Sequence, residues 1–334
     1  MLIIGLTGRS LADADRRALA SPRVSGVILF SRNVVDRDQA GGLVEAIRAE
    51  RPGAFLVTID QEGGPVQRLR KGYTALPALA RIGAVHDHDA NAARALAEDH
   101  AWVMASELRA TGIDLSFAPV ADLARGNRAI GERAFHSDPG VVSDLVMAYL
   151  RGMRLAGMAG TLKHFPGHGS TVEDTHCSAA IDRRSLADIR THDLVPFAGG
   201  IAAGAEAVMM AHVTYPACDP LPAGYSERWI GEILRGELGF RGIVIGDDIG
   251  MAAAGVVGGI DARVDAHRRA GCDLVLACGA ETVASAIAAC AGFPPCAPDR
   301  IAALAGCVAP TWRELEGNPR YAVLSGRVRG VDRV

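Results

Sequence analysis

A closed (β/α)8 barrel, one large α/β domain, is the fold class this sequence predicts, and three observations carry it. Apolar, β-prone runs recur eight times along the chain, and most are followed by a stretch with helical spacing. The runs are continuous rather than alternating, as in parallel strands buried on both faces. Finally, the first run ends in Gly5-Leu6-Thr7-Gly8, which lacks the glycine spacing of a dinucleotide-binding sheet. An open doubly wound sheet is the competing arrangement, but eight units within about 280 residues fit a closed barrel better.

In chain order, Leu2 to Leu6 reads as the first strand, with an amphipathic stretch near Asp13 to Ala20 after it. Val27 to Phe30 is the second, ending at Ser31-Arg32-Asn33; a helix follows, with Asp36 as its N-cap and Leu43, Val44 and Ile47 on one face. Phe55 to Ile59 is the third and runs into Asp60-Gln61-Glu62-Gly63-Gly64. The longest helix is expected from about Asp89 to Ala110. Ile113 to Phe117 gives the fourth strand, then a long loop through Gly131-Glu132-Arg133 and a helix after Pro139. Met158 to Leu162 is the approach of the fifth, which delivers Lys163 and His164 to a strand end. Pro166, Gly167 and Gly169 then interrupt regular structure and leave Asp174 and His176 on a loop. Ala207 to Met210 is the sixth, and Ser226 caps a helix stopped by Gly239. Ile243 to Ile245 is the seventh, ending at Gly246-Asp247-Asp248, and Leu274 to Leu276 the eighth, before a helical tail.

Composition sets the outer bounds. With 334 residues, 49% of them hydrophobic, the chain has enough apolar mass for a large core; no linker divides it, so residues 1–334 read as a single domain. A net charge of -3 gives no general attraction to nucleic acid or anionic membrane. No apolar run approaches the roughly 18 residues of a membrane helix, and Met1 to Thr7 lacks the basic start of a signal peptide. All seven cysteines lie at or after Cys177 and none forms a CxxC pair. Reduced thiols, a cytoplasmic location, a monomer and no metal or cofactor are the corresponding expectations.

The chemistry gathers where the strands end. Asp60, Asp122, Lys163-His164, His212 and Asp247-Asp248 all fall at C-terminal strand ends, which form one face of a barrel, the face that carries active sites. Solvent contact explains one or two polar residues there, such as Asp122 or Asp248, but explains the whole set poorly. Asp247 follows its strand directly, so a rigidly held carboxylate is aimed at the mouth, which suits a nucleophile. Asp174 lies two residues before His176 and is placed to orient that ring and favour its protonated form. Such a histidine is able to give a proton to a leaving group and later take one from water. A carboxylate nucleophile with a separate proton donor is the equipment of a retaining glycosidase. Asp60, Arg68, Arg133, Lys163 and His164 offer donors and acceptors for sugar hydroxyls, and the low aromatic content favours a pocket over a long cleft.

At these residues the sequence resembles glycoside hydrolase family 3, in particular its single-domain bacterial β-N-acetylhexosaminidases of peptidoglycan recycling. The matching stretches are Gly26-Val27-Ile28-Leu29-Phe30, Asp60-Gln61-Glu62-Gly63-Gly64, Phe117-Ala118-Pro119-Val120, Ile130-Gly131-Glu132-Arg133, Lys163-His164-Phe165-Pro166-Gly167-His168-Gly169, Asp174-Thr175-His176 and Gly246-Asp247-Asp248. The resemblance implies a (β/α)8 barrel with Asp247 as nucleophile and His176 as acid/base, assisted by Asp174. It also implies that Asp60, Arg68, Arg133, Lys163 and His164 contact a non-reducing N-acetylglucosamine. There are departures: Gly246 stands where serine commonly precedes the nucleophile, Ala134 where serine often follows the arginine, and Ala252 where an acidic residue is common.

Other functions compete with this one. Phosphorolysis is a close variant, since a neutral histidine donor does not repel phosphate. Metal-dependent hydrolysis would use His164, His168, His176, His212 and Asp247 as ligands, although the early HxH of such barrels is absent. A sugar-binding protein with a decayed site would have lost a catalytic group, yet Asp174, His176 and Asp247 are all present. His168, between glycines, reads as structural, and His212 as either substrate edge or packing. The loop from about Gly167 to Ser178 carries the proton donor and is expected to move.

Overall fold

A computed structural model describes residues 1–171, 180–306 and 309–331. Its centre is a barrel of eight parallel strands: β1 (Leu2–Gly5), β2 (Val24–Leu29), β3 (Leu56–Ile59), β4 (Leu115–Ser116), β5 (Thr161–Phe165), β6 (Ala207–Met210), β7 (Ile243–Gly246) and β8 (Leu274–Ala277). They are hydrogen-bonded in the order β4-β3-β2-β1-β8-β7-β6-β5, with Leu2 of β1 opposite Val275 of β8. The β4–β5 seam closes through the chain that follows β4. Thr161 donates its N–H to the Ala118 carbonyl at 2.7 Å, and Ala121 donates to the Lys163 carbonyl at 2.7 Å. Val120 pairs with Lys163 in parallel. The fourth strand, Leu115–Ser116, is shorter than Ile113 to Phe117; Phe117 still donates to the Ile59 carbonyl of β3 at 3.0 Å, and from Ala118 on the chain serves β5, where Pro119, having no N–H, contributes its carbonyl.

Alternation along the strands explains their continuous apolar runs. Ile3, Ile28, Leu56, Leu115, Met209, Ile245 and Leu276 fill the barrel interior. Their neighbours Leu2, Ile4, Val27, Val57, Val208, Val244 and Val275 face outward into the layer beneath the helices. The same alternation extends past the strand ends and carries Phe30, Asp60, Asp247 and Cys278 inward at the rim. At the opposite end, the helix Pro298–Ala302 brings Ile301 into the interior together with Leu304, while Arg300 reaches the Gly242 carbonyl just ahead of β7.

The surrounding helices start where capping chemistry starts them. Asp36 accepts the Gln39 N–H at 3.1 Å and opens Arg37–Glu50. Asp89 accepts from Asn91 and Ala92 and opens Ala90–Ala110, which buries Leu96, Val103, Met104 and Leu108. Asp138 does the same for Pro139–Leu155, with proline in the first turn. The Ser226 hydroxyl accepts the Trp229 N–H at 3.1 Å, but the helix it serves, Arg228–Glu237, is π-helical and ends with Leu238 bonded five residues back to Ile233. The C-terminal helix Pro319–Gly330 docks on Ala90–Ala110, where the Tyr321 hydroxyl donates to Glu107 at 2.6 Å and Arg327 meets Asp99. Among the described residues no helix is long and apolar enough to cross a membrane.

Lys163 and His164 differ from expectation in one respect. They lie inside β5 rather than at its end, because Thr161–Phe165 pairs with β6 on one side and with residues 118–121 on the other.

Candidate active site

A cavity of about 770 Å³ opens at the C-terminal ends of the strands. Its floor is the last apolar layer of the barrel, Ile28, Met209 and Leu276. Asp60, Arg68, Arg133, Lys163, His164 and Asp247 all line it, so six of the eight expected site residues meet in one space. The other two, Asp174 and His176, lie outside the described residues, as does most of the Gly167–Ser178 loop.

One wall is an interlocked set of charges. The hairpin Gln61–Gly63/Val66–Gln67 folds back after β3 and buries Glu62 beside the barrel. Lys163 Nζ lies 2.8 Å from Asp60 Oδ1 and 2.5 Å from Glu62 Oε1. Arg133 forms a fork on the same carboxylate, Nε to Oε2 and Nη2 to Oε1, both at 2.8 Å, and its Nη1 donates to the Ala129 carbonyl. Burial alone would raise the Glu62 carboxyl; the Arg133 and Lys163 charges and their hydrogen bonds outweigh it and hold the group well below the usual range. Arg133 is correspondingly held above its ordinary value by Glu62, against desolvation. Arg68 approaches Asp60 at 3.6 Å, and its backbone N–H is fixed by the Gln61 side chain.

His164 is set from behind. Asp122, wholly buried, accepts from the His164 ring Nδ1 at 2.7 Å, from the His164 N–H and from the His168 N–H. Its carboxyl is lowered: desolvation raises it, but His164 and His168 more than compensate. The Nδ1 edge of His164 is thus committed, leaving Nε2 as the ring nitrogen that Asp122 does not engage. His168 is buried against Asn127 and lies off the cavity wall, consistent with a structural part.

The opposite wall carries Asp247, partly exposed to the cavity, whose Oδ1 accepts the Asp248 N–H at 2.8 Å. Asp248 accepts the Cys278 and Gly250 N–H groups, each at 3.0 Å, and acts as a clamp on backbone. His212 packs rather than lining the cavity: it is buried, and its Nε2 donates to the Asp248 carbonyl at 3.1 Å. Among the described residues no three His, Cys, Asp or Glu side chains converge in a metal-ligand cluster.

Sequence reasoning passed over Glu62, although it stands in the quoted Asp60-Gln61-Glu62 run. It also assigned nothing to Phe30, Arg32 and Arg128, which line the rim. The Arg32 guanidinium lies 4.4 Å from the Phe30 ring centre and donates to the Leu6 and Cys278 carbonyls.

Comparison with known proteins identifies the family. The model of the glycosyl hydrolase family 3 N-terminal domain matches residues 4–292. The chain belongs to glycosyl hydrolase family 3. A family relative named beta-hexosaminidase, from Stenotrophomonas maltophilia (strain R551-3), is 59% identical over 292 residues, 87% of each chain. Another of that name, from Xylella fastidiosa (strain M12), is 52% identical over 331 residues, 98% of each chain. Among solved structures, NagZ from Neisseria gonorrhoeae in complex with N-trifluoroacetyl-D-glucosamine superposes with a TM-score of 0.91 at 36% identity, covering 99% of this chain and 97% of its own. The family (β/α)8 barrel expected from the sequence is the fold observed.

Proposed function

We propose that this family 3 member is an exo-acting β-N-acetylhexosaminidase that removes terminal non-reducing N-acetylglucosamine from peptidoglycan (muropeptide) fragments, with retention of configuration. One observation carries the reading: a single cavity of about 770 Å³ sets the Asp247 carboxylate across from the Asp60–Lys163–Arg133 wall. Its size is in the range that encloses a small ligand. The gonococcal NagZ complex with an N-acylglucosamine analogue supports the 2-acetamido sugar, and the names of the hexosaminidase relatives support the reaction class.

In this reading a hydroxyl-bearing face of the sugar meets Asp60, Arg68, Arg133, Lys163 and His164, and Asp247 approaches the anomeric carbon. Its carboxylate oxygen forms a bond to that carbon as the bond to the leaving oxygen breaks, and His176, oriented by Asp174, protonates that oxygen. Water then gives its proton to His176 and attacks the same carbon, the ester to Asp247 breaks, and the sugar leaves with its original configuration. Residues 1–334 act as one catalytic domain on a soluble sugar substrate, as a monomer in the cytoplasm. The described cysteines, all free and four of them buried, fit a reducing compartment.

A slow 2-acetamido substrate with an activated leaving group, followed by peptide mapping, tests the mechanism. A label on Asp247 and a β-configured first product by NMR are expected. A label on another carboxylate, no adduct at all, or an inverted product overturns it.

A further inference from the structure

Gly246 immediately precedes the proposed nucleophile, and the structure gives a glycine at this position a physical reason. The alternation of β7 turns Ile245 and Asp247 inward and Gly246 outward, toward the helix Ile260–Ala270. A Cβ at Gly246 would lie 2.6 Å from Nδ1 and 2.8 Å from Cε1 of His267, a residue of that helix. A Cβ at Gly224 would lie 2.8 Å from the same Cε1. Two glycines thus make room for one ring, and the ring is not idle. His267 Nδ1 donates to the Gly224 carbonyl at 2.9 Å, and its plane packs against Tyr225 at 4.5 Å and His212 at 5.4 Å between ring centres. His212 in turn donates to the Asp248 carbonyl. Burial lowers both imidazoles, His267 to about 3, so they stand behind the Asp247 carboxylate as neutral rings of fixed tautomer. His267 is fully buried and does not line the cavity.

We propose that His267 is a positioning residue for Asp247: its ring occupies the space that a side chain at 246 would need and holds the end of β7 from behind, with Gly246 as its obligate counterpart. This rests on the reading of Asp247 as nucleophile. The ring fixes where the Gly246–Asp247–Asp248 turn sits relative to the cavity, while the sugar-binding wall is built from other strands. Losing it displaces the carboxylate without removing a substrate contact, so the cost falls on kcat more than on KM.

A four-member cycle tests this: wild type, Gly246→Ser, His267→Ala and the double variant, assayed on an aryl β-N-acetylglucosaminide with folding followed by circular dichroism. Each single change is expected to lower kcat by about ten- to a hundredfold while KM stays within about threefold. The double variant, in which the serine enters the space the ring has left, is expected to recover to within about fivefold of wild type. Should His267→Ala fail to fold, His267→Asn, which keeps a donor for Gly224, takes its place in the same cycle. A double variant as slow as the product of the two singles overturns the proposal. So does a loss of kcat that merely follows the folded fraction. Trapping on the wild-type protein separates the two levels. A label away from Asp247 sinks the nucleophile assignment, whereas a label on Asp247 with an uncoupled cycle sinks only the role of His267.

Discussion

The two walls of the cavity hold their carboxylates in opposite ways. On the β3–β5 side, Glu62 and Asp60 are bound up with Lys163, Arg133 and Arg68, so that each charge is compensated by protein. On the β7 side, the Asp247 and Asp248 carboxylates accept backbone N–H groups, and the neutral rings of His212 and His267 pack behind them. The contrast separates two tasks. Mutually neutralised charges make a stiff surface that presents hydrogen bonds to a polar ligand without being spent on it. A carboxylate oriented by backbone N–H groups at the end of a strand is aimed at an electron-poor carbon.

Substitutions at each wall sharpen or break that contrast. Asp247→Ala is expected to cost at least about 10⁴-fold in kcat with KM little changed, read by steady-state kinetics; a residual rate within tenfold of wild type would make the β7 wall another binding surface. Glu62→Gln leaves Lys163 and Arg133 without their shared anion, and a loss of about 3–5 kcal/mol in denaturant unfolding is expected. The Glu62 carboxyl is depressed in the folded chain below its ordinary 4.5, so its contribution is complete above that value and lost as pH falls through the folded one. The stability gap between wild type and Glu62→Gln should therefore be constant near neutrality and narrow below pH 4.5. Asp60→Ala removes a cavity-facing acceptor while Glu62 still holds Lys163, so on the proposed function kcat/KM should fall by about ten- to a hundredfold with a smaller stability change.

The smallest effect lies behind the hairpin that carries Glu62, where a Cβ at Gly63 would come within 2.9 Å of His100 Nε2. His100, fully buried near the Pro77 carbonyl, is lowered by desolvation from 6.5 to about 4. Its neutral form belongs to the fold, and the unfolded chain takes up a proton below 6.5, so stability declines as pH drops from 6.5 toward 4. His100→Asn should make that decline shallower in thermal unfolding measured across the same interval.

Much of this molecule was legible in its sequence, for reasons that also mark the limit. Parallel strands buried on both faces leave continuous apolar runs, so all eight barrel strands were found, and strand ends such as Asp60 and Asp247 named the rim. The caps Asp36, Asp89 and Asp138 act through neighbours two or three residues away, and local effects are the ones a sequence displays. Glu62 and Arg133 stand 71 residues apart, and nothing local in either announces their pairing. Lys163 looked like an end residue because a buried charge inside a strand is unusual; its partners come from a hairpin elsewhere in the chain. Within Ile113 to Phe117, Asp114 and Phe117 donate to the Val57 and Ile59 carbonyls of β3, but apolarity does not reveal that the next residues, Ala118 to Ala121, turn to serve β5. Gly246 was visible as an oddity, but its cause, the ring of His267, is 21 residues further on.

The floor of the barrel bears on how the chain matures. Ile301 and Leu304 belong to the interior, yet they are encoded more than twenty residues after β8. A nascent chain emerging from the ribosome thus has every rim residue in hand while the base of its core is still open to water. The cavity lining is delivered early and its foundation last, and chains stopped before residue 301 would present the underside of the barrel to chaperones and to one another.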